Sequence, residues 1–122
     1  MKIIEAINRI DSLKHNTYTT SDKVAWLSEV DWDVAKSVID THEGEPLEFK
    51  GYDDSTDPQT ELLIYAPYDK AYLLWMEAQI DYYNGEYGKY NNAIVMFYEA
   101  LNSFKKDYNR THMPKGKKFK FF

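Results

Sequence analysis

The chain has 122 residues, of which 43% are hydrophobic, 16% aromatic and 29% charged. This composition is too apolar for a disordered chain, too interrupted by charge for a membrane span, and long enough for one domain with a hydrophobic core. The absence of cysteine excludes disulfides and thiolate metal sites and is compatible with a reducing cytoplasm. We therefore expect a soluble, single-domain globular protein.

The net charge of −5 is unevenly distributed along the chain. Seven of the fifteen lysines and arginines lie at or after Lys105, whereas Asp107 is the only acidic residue there. The first 104 residues carry eight basic and nineteen acidic side chains, which is a net charge of −11. An acidic body with a basic end can attract copies of itself head to tail, and it can also attract nucleic acid. The charge pattern is therefore compatible with self-association and with nucleic-acid binding.

The N-terminal third of the chain predicts two amphipathic helices. Residues 2–14 and 21–41 each place apolar side chains at helical spacing. Thr19 or Thr20 is suited to cap the second helix, and Asp22 is favourably placed in its first turn. The second helix should end before the helix-breaking sequence EGEP.

Residues 43–66 break the helical period and combine glycines and prolines with many acids. Two β-like pieces, residues 47–52 and 62–65, favour a long loop or a loose β-hairpin inserted between helices two and three. Because so polar a segment buries little apolar surface, we expect it to lie outside the helical core and to contact another chain. The apolar anchors of that contact would be Leu47, Phe49, Leu62 and Ile64.

The next segment predicts two longer helices. Pro67 suits the first position of helix three, which should run to about Asn84 and is apolar over a wide arc, as expected of a central helix. Helix four, over 87–111, repeats apolar residues in steps of four and three, the pattern of a helix packed lengthwise on an antiparallel partner. The fold is therefore predicted to be mainly α, a bundle of about four helices in one domain over 1–113, followed by an extended tail over 114–122.

The tail alternates lysines and phenylalanines beyond Pro114 and Gly116, a period of two that suits an extended strand. From Lys115 onward it can span about 26 Å, enough to reach a neighbouring subunit. There the phenylalanines would fill apolar pockets and the lysines would face the acidic body, for example by strand addition to the loop hairpin. The alternative is a tail folded onto its own helices. The predicted partner-binding residues are Lys115, Lys117, Lys118, Phe119, Lys120, Phe121 and Phe122.

Metal sites and catalytic motifs are only weakly indicated by the sequence. Asp31, Asp33 and the acidic loop offer carboxylates, but without the ordered spacing of an EF-hand, so a solvated acidic surface is the favoured interpretation. The sequence has no P-loop, dinucleotide fingerprint or nucleophile motif. We therefore expect no catalytic residues, no metal and no cofactor. Eleven tyrosines, eight of them between residues 65 and 98, favour an assembling protein, since tyrosine is common at interfaces.

Four strings carry a resemblance that covers essentially the whole chain: IDTHEG from Ile39, GYDDSTD from Gly51, YNGEYGKYNN from Tyr83 and YNRTHMPKGKKFKFF from Tyr108. The chain resembles the small head-tail connector, or head-completion, proteins of tailed phages and prophages of Gram-positive bacteria. The resemblance implies a mostly α-helical virion protein that forms a ring of about twelve copies between the portal protein and a downstream tail-joining protein. It also implies assembly in the host cytoplasm, DNA in the ring lumen and no membrane.

Two other functions remain as alternatives. In the first, the basic tail binds nucleic acid, with lysines on phosphates and Phe119, Phe121 and Phe122 stacked on bases. The acidic body opposes this, because it would repel a long polyanion. The second alternative is an enzyme, and no pair of residues at motif spacing supports it.

Overall fold

A computed structural model describes residues 1–41 and 48–112 of the chain. These residues form four α-helices and a short 3-10 helix, so the fold is mainly helical, as predicted. None of the helices in these two ranges combines the length and the hydrophobicity needed to cross a bilayer. The elements are α1 (Ile3–Leu13), α2 (Thr20–Ser37), the 3-10 helix (Ile39–Thr41), α3 (Lys70–Tyr83) and α4 (Tyr87–Thr111).

The start of α2 follows the predicted capping chemistry. Thr19 Oγ1 accepts a hydrogen bond from the backbone N–H of Asp22 at 3.1 Å, and Asp22 Oδ2 accepts one from the N–H of Thr19 at 3.3 Å. This reciprocal pair satisfies two backbone N–H groups that a helix start leaves without partners. The α-helix itself ends at Ser37, and the chain continues as the 3-10 helix.

The start of α3 differs from the prediction. The chain turns at Tyr65–Tyr68, where the N–H of Tyr68 donates to the carbonyl of Tyr65 at 3.0 Å, and the Ala66–Pro67 peptide bond in this turn is cis. Pro67 therefore belongs to the turn, and the helix begins at Lys70.

Helices α3 and α4 form the predicted antiparallel pair. Only Asn84–Glu86 separates them, and ring contacts run in opposite directions along the two helices. The ring centroids lie 5.3 Å apart for Tyr82 and Tyr90, and 4.9 Å apart for Trp75 and Phe97. Because α3 also packs against α1 and α2, it is the central helix of the bundle, as predicted.

The hydrophobic core joins all four helices with part of the loop that precedes α3. Leu62 is 6% exposed and Ile64 is fully buried, and both pack among the helical side chains. The loop also supplies backbone acceptors to the first turn of α1, because the N–H groups of Ile3 and Ile4 donate to the carbonyls of Thr60 and Pro58 at 3.0 Å. The expectation that the loop lies outside the helical core is therefore wrong for this segment.

The predicted β-hairpin is not observed within the part of the loop that the structure describes. Residues 48–52 and 62–65 form no strand pair, and the backbone bridge in this region joins Lys2 to Glu61. The loop carbonyls instead serve the N-terminus of α1, which leaves four N–H groups without partners inside the helix.

Gly51 allows the loop to approach α2 closely. Its φ of +81° lies in the left-handed region, and a Cβ atom there would lie 2.9 Å from Trp32 Nε1 and 3.1 Å from Ser28 Oγ. Ser28 Oγ also accepts the backbone N–H of Tyr52 at 2.9 Å, so this contact is part of the loop attachment. The position therefore requires both the conformation and the small size of glycine.

Replacing Gly51 with alanine should lower the free energy of unfolding by about 2 kcal/mol, because backbone strain and a steric clash act together. Gly85 is the matched control. Its φ is +79°, but a Cβ atom there meets nothing within 4 Å. Gly85→Ala should therefore cost only the strain, about 1 kcal/mol. Urea denaturation of both variants measures the difference, and equal losses would contradict the steric contribution at Gly51.

Candidate functional site

Of the predicted partner-binding residues, the structure describes Phe49, Leu62 and Ile64. Leu47 and the tail over 114–122 lie outside the described residues. Leu62 and Ile64 are buried in the core of their own chain, so they are not available as anchors for a partner, and their assignment to an interface is wrong. The physical reason is that the helices α1 and α2 require both apolar cover and hydrogen-bond partners from this part of the loop.

Phe49 remains close to the surface. Its half-buried ring packs edge-on against Trp32 on α2, at 5.1 Å between ring centroids, and against Tyr52 at 5.0 Å. Trp32 is itself exposed. Of the three predicted loop anchors that the structure describes, Phe49 is thus the one placed near solvent.

Asp31 forms a buried polar cluster with the loop. Its side chain is fully buried on α2 and accepts hydrogen bonds from the hydroxyls of Tyr52 and Tyr72, each at 2.5 Å, and from the backbone N–H of Leu63 at 3.1 Å. The Tyr72 hydroxyl in turn accepts the N–H of Ile64 at 2.7 Å. These bonds connect α2, α3 and the loop in one network.

Electrostatics in this cluster keep the tyrosines as donors. Burial raises the pKa of Asp31, and hydrogen bonds from Tyr52, Tyr72 and Leu63 offset only part of the rise. Burial and the adjacent Asp31 carboxylate raise the pKa of both tyrosine hydroxyls far above the usual value for tyrosine. Because all of its partners belong to the fold, we interpret the cluster as an attachment of the loop to the bundle.

The acidic residues considered as metal ligands do not converge within the part of the chain that the structure describes. Asp31 is buried, whereas Asp33 lies at the surface with Oδ2 3.9 Å from Lys105 Nζ. Across 1–41 and 48–112, no group of three His, Asp or Glu side chains is placed to hold a metal ion.

Six aromatic rings meet at the end of the bundle that contains the turn between α3 and α4. We call this group the aromatic patch. Tyr82 contacts Tyr83, Tyr87 and Tyr90 at centroid distances of 5.3 to 5.8 Å, and Tyr83 stacks nearly parallel to Trp26 at 6.2 Å. Tyr18 completes it through a T-shaped contact with Trp26 at 5.6 Å. The members of the aromatic patch are Tyr18, Trp26, Tyr82, Tyr83, Tyr87 and Tyr90.

Much of the aromatic patch is open to solvent. Tyr82 is 47% exposed, and Tyr83 and Tyr87 are each 60% exposed, whereas Trp26 is buried beneath them. An exposed group of large rings over a buried base is typical of a site that binds another molecule. Aromatic side chains are also enriched in protein interfaces.

The aromatic patch is held in place by its surroundings. The Tyr18 hydroxyl donates to Asn84 Oδ1 at 2.7 Å, which connects the segment between α1 and α2 to the end of α3. The turn itself is closed by a hydrogen bond from the N–H of Glu86 to the carbonyl of Asp81 at 2.8 Å. The rings are therefore presented by the segment before α2, by α2 and by the two helix ends at the α3–α4 turn, and little ordering is needed when a partner binds.

A small cavity of about 140 Å³ lies at one side of the aromatic patch. It is lined by Tyr18, Trp26 and Tyr83 together with Asp22. Aromatic faces and a carboxylate together favour a positively charged group, which interacts with ring quadrupoles and with the negative charge. This side of the patch is thus suited to a lysine or arginine side chain.

Sequence reasoning recognised the excess of tyrosine but did not assign these rings to a site. The apolar pattern of helix three placed Tyr82 on the buried face, with Tyr83 beside it. The structure instead buries Asp81 in the last turn of α3, where Lys14 Nζ lies 2.6 Å from its Oδ1 as an ion pair. The sequence offered no local signal for this arrangement, because a charged side chain is ordinarily expected at the surface and a tyrosine nearer the core.

Searches against protein-family models, curated proteins and solved structures found no match to this chain.

Proposed function

We propose that this protein is a non-enzymatic assembly subunit of a tailed phage or prophage particle, a head-tail connector that forms a ring between the portal and the tail machinery. The observation that carries the proposal is the aromatic patch, a group of large rings exposed on a small helical body. Surfaces of this kind mark protein-protein contacts. The place of the subunit in the particle follows from the family resemblance in the sequence.

The charge distribution supports assembly. Subunits with an acidic body and a basic C-terminal end can associate head to tail, and heterologous contacts of this kind close into rings when the rotation between subunits closes. In this proposal the tail is an extended arm that binds a neighbouring subunit, and the outer faces of the ring contact the portal protein and the tail-joining protein. A ring of about twelve copies would surround the DNA.

Nucleic-acid binding is the weaker candidate. The first 104 residues carry a net charge of −11, so a DNA contact is confined to the basic end of the chain. The rings of the aromatic patch have the Asp22 carboxylate beside them, and the nearby Lys89 is paired with Glu86 at 3.5 Å. A carboxylate-bordered surface favours a protein partner.

Deletion of the gene from the phage or prophage that encodes it tests the proposal. We expect filled heads without attached tails in electron micrographs, and restoration of complete particles by the wild-type gene. A double variant, Tyr83→Ser with Tyr87→Ser, should fail to restore them because it removes the exposed part of the aromatic patch. The control is Tyr98→Ser, since Tyr98 is 51% exposed on α4 outside the patch. Complete tailed particles in the absence of the gene would contradict the proposal.

A further inference from the structure

We propose that the aromatic patch of one subunit is the binding site for the C-terminal tail, residues 114–122, of a second copy of the chain. This inference rests on the proposed assembly function and specifies its contact. It replaces strand addition to a loop hairpin, because the described part of the loop contains no strand pair to which a strand could be added.

The aromatic patch and the tail lie at opposite ends of α4. Tyr87 and Tyr90 belong to the first turn of this helix, and the tail follows its last residue, Thr111. With a rise of about 1.5 Å per residue, the 25 residues of α4 separate these ends by about 36 Å. The aromatic patch therefore lies at one end of α4, and the tail begins beyond the other end.

The tail is too short to place its lysines and phenylalanines together on the aromatic patch of its own chain. Phe119 lies eight residues beyond Thr111, so even a fully extended segment carries it back only about 27 Å along α4. Phe122 could span about 37 Å only if every residue before it were fully extended, which leaves none to turn the chain back along the helix. The two lysines directly before Phe119 fall further short of Tyr83. A second copy has no such restriction, because its helix end can approach the aromatic patch directly. The geometry thus favours a contact between subunits.

The chemistry of the two surfaces is complementary. Between Lys115 and Phe122 the tail has four lysines, three phenylalanines and no acid. The cavity beside Asp22 suits a lysine ammonium group, which would lie near the faces of Trp26 and Tyr83. Phenylalanine rings from the same tail would pack edge-to-face on the exposed rings of Tyr82 and Tyr87. Alternating Lys and Phe therefore match a surface that combines a cation site with exposed aromatic rings.

A peptide-binding experiment tests this contact. The receiving protein is the full chain with Phe119→Ser, Phe121→Ser and Phe122→Ser, which removes the phenylalanines through which its own tail would compete. The probe is a synthetic peptide of residues 111–122. Titration followed by NMR should shift the Trp26 indole signal and the ring signals of Tyr82, Tyr83 and Tyr87. A peptide with all three phenylalanines changed to serine should not produce these shifts.

Variants of the receiving protein locate the site. Adding Tyr83→Ala with Tyr87→Ala should weaken peptide affinity at least tenfold, whereas Tyr98→Ala should leave it unchanged. Asp22→Asn should weaken binding about threefold at low salt and less at high salt, because the lost contribution is electrostatic. Circular dichroism of each variant confirms that the body is folded, which is expected for exposed positions.

Three results would overturn the inference: no shifts at millimolar peptide, shifts that map away from the aromatic patch, or affinity unaffected by the double tyrosine variant. Shifts in the patch signals of the unmodified chain that do not depend on its concentration would also overturn it, because they would show the tail on its own body. A negative peptide result combined with tailless particles in the gene deletion would reject this docking mode and leave the assembly function in place.

Discussion

Replacing Asp31 with alanine should lower the free energy of unfolding by about 4 kcal/mol, a large part of the stability of a domain of this size. The carboxylate accepts three hydrogen bonds in a fully buried site. Alanine would leave the hydroxyls of Tyr52 and Tyr72 and the N–H of Leu63 without this acceptor and would create a cavity between α2 and the loop. Urea denaturation, followed by circular dichroism, measures the loss.

Asp33→Ala is the matched control for Asp31→Ala. Asp33 lies on the same helix two residues later, and its side chain is 56% exposed, so its removal should change the free energy of unfolding by less than about 0.5 kcal/mol. Asp31→Asn should fall between the two, because the amide keeps the size of the side chain but presents a donor where only acceptors fit. A loss below about 1 kcal/mol for Asp31→Ala would show that the network contributes little.

Helices were predictable where local pattern determines them. The bounds of α1 and α4 follow from regular apolar spacing, and the start of α2 follows from the capping residues Thr19 and Asp22. These signals act over a few residues, so they can be read from one sequence. The start of α3 could not be read in this way, because Pro67 suits both a helix start and a turn, and the hydrogen bond from Tyr68 to Tyr65 decides for the turn.

The position of the loop depends on distant residues. Its composition is polar, and from composition alone it was expected outside the core. The structure attaches the loop through Asp31, which lies 21 residues from Tyr52 and 41 from Tyr72. It also attaches the loop through the N–H groups in the first turn of α1, which donate to loop carbonyls. A buried carboxylate needs donors and a helix start needs acceptors, but the sequence does not show which distant segment supplies them.

The sequence predicted that an aromatic interaction surface exists, but it did not predict which rings form it. An excess of tyrosine indicated an interaction surface, yet the rings of the aromatic patch come from the segment before α2, from α2, and from the two helices at the α3–α4 turn. Tyr18 and Tyr82 are 64 positions apart in the chain, and only the packing of α3 against the other helices brings them together. Leu62 and Ile64, the loop residues expected at the interface, are instead buried in the core.

Ile64 gives the clearest test of whether these loop residues serve the core or an interface. Ile64→Ala should lower the free energy of unfolding by about 3 kcal/mol. The side chain is fully buried among residues of its own chain, and collapse around the lost atoms is limited because the Ile64 N–H is held by the Tyr72 hydroxyl at 2.7 Å. Val95→Ala is the control, since Val95 is 58% exposed on α4 and its truncation should change stability by less than about 0.5 kcal/mol. Urea denaturation of dilute protein measures both. An interface role for Ile64 predicts the opposite result, with unchanged stability of the single subunit and weaker association between subunits.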